Sequence, residues 1–352
     1  MSAIRCGLIG YSLGWEQHGR RHGTYINSAD GTTLVAVCDV NPEATAKAQN
    51  DFQGIRTFQS SEELLADDDI DLVSILTPHY LHHPLALAAL EAKKHVVVDK
   101  PMCFTVQEAD ELFELADSKR RIVTTFFNRR RDGNFLAIEQ IIDSGEIGDL
   151  KEVRLVSESK GLHGTAWRDT KARSGGLVYN SLGAHAFDWI LRLLEGQRVL
   201  HATGVIFPAE DGEDLNELHA RAWLRFESGA LADVTISRMS FSGQPLWQIS
   251  GAGGTIIDTG ENATANYLYP FPVVAEAPGS FKIRKLKDGE VDERVVKYSD
   301  SAWGKYYSDL KGHIVDGGPE PVTRQDSRRV VAVMQAVEIS AKSGNPEPVD
   351  GE

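Results

Sequence analysis

Cysteine is scarce. The 352 residues contain three, Cys6, Cys38 and Cys103, odd in number, far apart and without a C-x-x-C pair. That pattern excludes a disulfide framework and a zinc knuckle, and it suits a reducing compartment. Long apolar runs are also missing: no stretch approaches the roughly 18 residues of a membrane span. Between Met1 and Gly7 no basic region leads into an apolar one, so the expectation is a cytoplasmic protein, neither exported nor anchored. Positive charge is in deficit, with 37 Lys and Arg against 51 Asp and Glu and a formal charge of −14. Such a surface repels phosphate backbones and anionic membranes, so neither nucleic acid nor a membrane is an expected partner. Two basic clusters run against this balance, Lys119-Arg120-Arg121 and Arg129-Arg130-Arg131; both read as solvated helix ends.

What remains is an ordinary globular composition, 41% hydrophobic and 25% charged, in a chain long enough for two domains. The first third alternates short apolar runs with amphipathic stretches, as βαβ units around a parallel sheet do. Strands are expected at Ile4 to Gly10, Leu34 to Asp39, Leu72 to Leu76, His95 to Asp99 and Ile122 to Phe127. Asn41-Pro42, Ser60-x-x-Glu63 and Thr105-x-x-Glu108 mark helix starts between them. This is a doubly wound α/β domain over residues 1–127. From 128 to 352 the rhythm is different. A helix from Phe135 to Ser144 ends at Gly145, and longer alternating strands follow at Glu217 to Phe226 and Leu231 to Arg238. Asp288-Gly289 joins Phe281 to Leu286 with Val291 to Tyr298 as a hairpin. Helices near Gly183 to Leu194, Gly304 to Val315 and Asp326 to Ser343 make this an α+β domain with a large, mostly antiparallel open sheet.

Gly7-Leu8-Ile9-Gly10-Tyr11-Ser12-Leu13-Gly14 closes the first strand and opens a helix, where a dinucleotide pyrophosphate meets free backbone N–H groups. The glycine fingerprint is displaced, with Ser12 at its second position and Gly14 one residue early. Asp39 ends the second strand, where a carboxylate can accept from both ribose hydroxyls and repel a 2′-phosphate, which favours NAD over NADP. The same residues spell G-x-S-x-G, the nucleophile elbow of α/β-hydrolases. Only nine residues precede Gly10, too few for the loop that supplies an oxyanion N–H, and the Ser-nucleophile reading is set aside. Thr77-Pro78-His79-Tyr80-Leu81-His82-His83 leaves a buried strand at the sheet's carboxyl edge; carboxylate or thiolate partners at helical spacing are missing nearby, and no metal is expected. Asp99-Lys100-Pro101 places an ammonium at the same edge, where it could polarise a substrate oxygen. Further on, His185 and Asp188 stand i, i+3 at a helix start, an imidazole with a carboxylate to orient it.

Taken in order, the glycine-rich turn, Asp39, Thr77-Pro78-His79-x-x-His82, Asp99-Lys100-Pro101, Asn128-Arg129, Trp167-Arg168 and His185-x-x-Asp188 resemble the Gfo/Idh/MocA oxidoreductases, the glucose-fructose oxidoreductase and inositol dehydrogenase group. The resemblance covers nearly the whole chain. It implies a Rossmann domain binding NAD(P), a second domain that binds a sugar or polyol, and a homodimer or homotetramer formed through the second sheet. Lys100 stands where the family's E-K-P lysine stands and His185 where its catalytic histidine stands; these are the expected catalytic pair, His185 taking the hydroxyl proton and Lys100 lowering its pKa, or the reverse. Pattern and resemblance together put the cofactor on Gly10, Tyr11, Ser12, Leu13, Gly14, Asp39, Thr77, Pro78, His79, His82, Asp99, Lys100, Asn128, Trp167 and Arg168. The substrate falls to Lys100, His163, Trp167, Arg168, Tyr179, Asn180, Ser181 and His185, because a polyol site needs hydrogen-bonding groups and an aromatic platform. Asp99 replaces the family's usual glutamate, and Ser181 stands where many of its dehydrogenases carry aspartate. A serine holds no charge against Lys100, so Asn180 or Asp188 is left to orient the imidazole. Ser181 keeps the reading of a non-catalytic NAD-binding regulator open, and the family resemblance that of an NAD-retaining glycosidase.

Overall fold

Strands with both faces covered form the first sheet. In a computed structural model that describes residues 3–13, 17–158, 167–180, 182–208, 215–240, 244–259 and 279–351, the chain divides into two units. The first opens with β1 (Ile4–Ile9), α1 (His18–Ser28), β2 (Thr32–Cys38), α2 (Pro42–Asp51), β3 (Arg56–Phe58) and α3 (Ser61–Leu65). It continues through β4 (Leu72–Ile75), α4 (His82–Glu91), β5 (His95–Asp99), α5 (Val106–Lys119) and β6 (Val123–Phe126). Every residue of β4 and β6 is buried, as apolar runs between two helical layers must be. The helices begin where the sequence places caps: Asn41 accepts from Glu43 N, and Thr105 and Glu108 form a reciprocal capping box.

All six strands run parallel in the order β3-β2-β1-β4-β5-β6. The connections reverse direction between β1 and β4, which opens a crevice at the carboxyl ends of those two strands, the usual ligand position in such sheets.

The second unit carries α6 (Gly133–Asp143), β7 (Leu150–Glu158), α7 (Lys171–Ser174) and α8 (Gly183–Leu193). Seven strands follow, β8 (Val199–Phe207), β9 (His219–Phe226), β10 (Leu231–Ser237), β11 (Trp247–Gly251), β12 (Thr255–Asp258), β13 (Ser280–Lys287) and β14 (Glu290–Lys297). In β9 the buried residues are Ala220, Ala222, Leu224 and Phe226, the period-2 face legible in the sequence. Asp288 (φ +54°) and Gly289 (φ +83°) both lie in the left-handed region, as a two-residue hairpin turn with matching twist requires. With β15 (Glu347–Pro348) the sheet has nine strands in the order β14-β13-β12-β11-β7-β10-β9-β8-β15, and only β7 and β10 pair in parallel. Trp189, Trp247 and Phe135 pack ring against ring in its core.

Residues Trp303–Arg328 belong to the first unit although they follow the second sheet in sequence. Their helix α9 (Lys305–Asp316) lies on α1 and β2 and buries Tyr306 and Tyr307. The Tyr306 hydroxyl donates to Thr125 O (2.9 Å), and Thr124 Oγ1 donates to Val322 O (2.9 Å), so buried polar groups of β6 are satisfied by the returning segment. The last helix, α10 (Arg324–Ser343), continues into the second unit. Among the described residues no helix is long and apolar enough to cross a membrane.

Candidate active site

Gly10 sits at the switch point with φ +93°, and its N–H donates to Cys38 O at 2.8 Å. A Cβ there would lie 2.9 Å from the carbonyl carbon and oxygen of Leu76, so only glycine lets the turn approach the end of β4 so closely. Gly10→Ala is therefore expected to cost at least the roughly 1–3 kcal/mol of a strained backbone, read as a lower urea midpoint, and to abolish nucleotide binding. Beside it the Thr77 hydroxyl is buried with no hydrogen-bond partner among the described residues. A cradle that a methyl group would fill and an orphaned buried hydroxyl suit a dinucleotide phosphate against this edge.

The Asp39 carboxylate lies across the turn. Its Oδ2 accepts from Tyr11 N (2.8 Å) and Ser12 N (3.1 Å), and its Oδ1 from Asn41 N (2.9 Å). Tyr11 contributes only its backbone to this edge, because its side chain points inward and its hydroxyl donates to Asp51 (2.6 Å). Leu13 is exposed, and Val40, missed in the sequence, is 85% exposed next to Asp39 in the chain. A second missed residue is Gly19 in α1. A Cβ there would fall 2.5 Å from Tyr11 O, so Gly19 performs the close helix–strand packing expected of the fingerprint's last glycine. Gly14, the residue the sequence singles out, lies outside the described residues.

His79 and His82 are both buried. His82 has Nδ1 2.7 Å from Pro101 O and Nε2 2.9 Å from Thr77 O. The ring lies between the turn after β4 and the cis Lys100-Pro101 bond after β5, and when neutral it donates to one of these two carbonyls. Burial pushes the His82 pKa down against the pull of those two carbonyls. His83 faces Glu111 instead (2.9 Å). Lys100 N donates to Asp99 Oδ1 (2.9 Å). Burial alone would push the Asp99 pKa up, but the electrostatic pull of its neighbours, His18 and Lys100 foremost, outweighs it and holds the carboxyl below its usual range. Asn128 closes the first unit, after β6.

In the second unit Arg168 stacks over Trp167, 4.3 Å from the ring centroid, and Tyr179, Asn180 and His185 are buried. The Asn180 amide donates to Arg168 O (2.7 Å) and holds that turn. Asn216 donates to the same oxygen, while Glu217 accepts from Lys171 and from Leu177 N (2.8 Å). Neither residue drew notice in the sequence, since each acts on a loop some 40 residues earlier. Asp188, expected beside His185, takes the guanidinium of Arg130 through Nη2 (2.6 Å) and Nε (3.0 Å). The Arg129-Arg130-Arg131 cluster is therefore not a solvated helix end. Arg129 is buried and pairs with Asp132 (2.8 Å), and its carbonyl accepts from the Trp189 indole (2.8 Å). Consecutive residues at the start of the second unit thus grip the helix that carries His185. Lys119-Arg120-Arg121, by contrast, does end α5 at the surface, with Arg120 exposed. His163 and Ser181 lie outside the described residues.

A parallel sheet with a glycine turn and a facing carboxylate at its switch point defines a dinucleotide-dependent oxidoreductase, and comparison with known proteins agrees. Residues 4–127 match an oxidoreductase family with an NAD-binding Rossmann fold, and residues 135–257 match the GFO/IDH/MocA C-terminal domain. YdgJ of Escherichia coli, described as an uncharacterized oxidoreductase, is 35% identical over 97% of this chain and 96% of its own. The scyllo-inositol 2-dehydrogenase (NADP(+)) IolW of Bacillus subtilis is 25% identical over 97% of this chain and 95% of its own. Levoglucosan dehydrogenase, solved with NADH and levoglucosan, shares the fold with a TM-score of 0.80 over 99% of this chain and 100% of that one, at 20% identity. The chain belongs to the Gfo/Idh/MocA family of oxidoreductases.

Proposed function

We propose that the protein transfers hydride between NAD(H) and a carbinol carbon of a sugar, an inositol or a related polyol. The observation that supports this reading is the position of His82, whose ring lies between Thr77 O after β4 and Pro101 O after β5, at the two strand ends that precede the proposed phosphate edge and Lys100. In this reading the first unit binds the nucleotide and the second supplies the substrate groups. The nicotinamide, when bound, accepts or returns the hydride. Lys100 holds positive charge at the substrate oxygen and lowers its pKa, and His185 takes or returns the hydroxyl proton. Trp167 and Arg168 offer an aromatic and cationic wall, kept in shape by Asn180 and Asn216 through the Arg168 carbonyl. Residues 10–13 and 39–43 contain no lysine or arginine to receive a 2′-phosphate, which supports NAD as the cofactor. Relatives named as scyllo-inositol and myo-inositol 2-dehydrogenases support a polyol substrate. The thiols of Cys6 and Cys38, both pushed up to about 12 by burial, suit a chain working in the reducing cytoplasm.

Thermal unfolding of cofactor-free protein with NAD, NADH, NADP and NADPH in turn tests the reading. A nucleotide at ~100 times its Kd stabilises by about 2.7 kcal/mol, a shift of several degrees. NAD or NADH is expected to shift the transition more than the phosphorylated pair, after which polyols are screened at 340 nm. No shift with any nucleotide would overturn the proposal.

The same reading makes the protein a homodimer or homotetramer through its second sheet. Val205, Phe207, Trp223 and Leu231 are exposed on one face of β8, β9 and β10, an apolar group beside which Arg221 is paired with Asp233 (2.6 Å). Trp223→Glu is expected to shift sedimentation from the oligomer to the monomer; an unchanged oligomer would remove this face from the interface.

A further inference from the structure

We infer that Asp39 is first a clamp on the phosphate-binding turn and only secondarily a ligand of the ribose, so that removing its carboxylate weakens NADP as well as NAD. This rests on the nucleotide-binding reading above. An ionised carboxylate offers about four acceptor positions. Three are taken by the chain itself: Oδ2 by the N–H groups of Tyr11 and Ser12, and Oδ1 by that of Asn41. One position remains, enough for one ribose hydroxyl but not for the two that the sequence alone suggests.

The three amides come from different segments, the turn after β1 and the turn into α2, and the carboxylate ties them together. Ser12 needs that tie. Its φ of +62° lies in the left-handed region, which a non-glycine residue occupies only when its surroundings hold it there. Successive N–H groups of such a turn form a concavity that ordinarily receives an anion, and here the first anion it meets is a side chain of the protein. Tyr11 is fixed from the other side as well, through its hydroxyl to Asp51, which Lys47 also holds (2.7 Å). The shape of the turn is thus imposed from β2 and α2, not by the nucleotide. Without the carboxylate, Ser12 relaxes and the amides no longer converge on a phosphate. Removing a negative charge from this place would then gain nothing for NADP, because residues 10–13 and 39–43 hold no cation for its extra phosphate.

The test compares the full-length protein with Asp39→Ala and Asp39→Asn, free of cofactor. Hydrogen–deuterium exchange follows the amides of residues 10–13 without nucleotide, and calorimetric titration gives Kd for NAD and NADP. Losing two charge-assisted bonds is expected to speed exchange at Tyr11 and Ser12 by about tenfold or more in Asp39→Ala, with Asp39→Asn intermediate. NAD affinity is expected to fall about a hundredfold, and NADP affinity about tenfold, below wild type. Tighter NADP binding by Asp39→Ala, or unchanged exchange at both amides, overturns the clamp. Should Asp39→Ala not fold, Asp39→Asn, which retains one carbonyl acceptor, carries the same comparison. Wild-type protein that binds neither nucleotide refutes the cofactor reading, while the exchange rates still decide the clamp by themselves.

Discussion

Replacing Lys100 by methionine is expected to lower kcat/KM for hydride transfer by about a thousandfold while NAD affinity stays within about threefold of wild type. The side chain follows β5, whereas the atoms assigned to the phosphates and ribose follow β1, β2 and β4. Loss of the ammonium therefore removes polarisation of the substrate oxygen without touching those contacts. Asp99 strengthens the expectation. Its carboxyl is held below its usual range in part by Lys100, so a negative charge stands behind the lysine. Methionine keeps the length and the apolar stem, which makes a packing explanation for lost turnover unnecessary. Steady-state rates with the polyol found at 340 nm, set beside NAD titration, give both numbers. A fully active Lys100→Met protein would strip Lys100 of its role.

The second large effect is on stability. Arg130 and Asp188 are 10% and 1% exposed in their side chains and meet through two nitrogens of one guanidinium. Arg130→Met removes the charge that neutralises a buried carboxylate, a change that costs about 3–5 kcal/mol. Arg130→Met with Asp188→Leu is expected to recover most of that loss, because two apolar side chains in place of a buried pair leave no stranded charge. Urea unfolding followed by tryptophan fluorescence reports this half of the molecule through Trp189 and Trp247. If the single and double variants are equally unstable, the ion pair is not what the arginine contributes. The double variant also separates roles, since it restores stability while leaving His185 on a helix no longer gripped by Arg130.

The first sheet was legible because its strands are short, apolar on both faces and separated by caps that name their own helices. Asn41-Pro42 and Thr105-x-x-Glu108 start helices where expected. The hairpins of the second sheet were legible for the same local reason, alternation plus a turn at Asp288-Gly289. What stayed hidden depends on distance along the chain. The parallel pairing of β7 with β10 joins strands that no local pattern connects. The burial of Arg130 depends on Asp188, 58 residues away, so a charge run that is ordinarily solvated became part of a core. Tyr306 and Tyr307 mark a buried helical face, but nothing in their neighbourhood says which sheet that face covers. At the nucleotide turn the carboxylate at Asp39 could be read, yet Gly19 could not, because the turn before it is longer than the fingerprint allows and the spacing rule looks in the wrong place.

Among the described residues the nine-stranded sheet ends in β14 on one side and β15 on the other, and an open end is a template on which another chain can add a strand. At one end stands β14, where Glu290, Asp292, Glu293, Arg294 and Lys297 make five of eight residues charged. A strand arriving there would have to match or desolvate these charges. At the other end β15 is only two residues long, and one of them, Pro348, has no N–H to offer. Growth by edge-to-edge addition is thus opposed by charge on one side and by a missing donor on the other, which leaves the face of the sheet, not its edges, as the surface open to another chain.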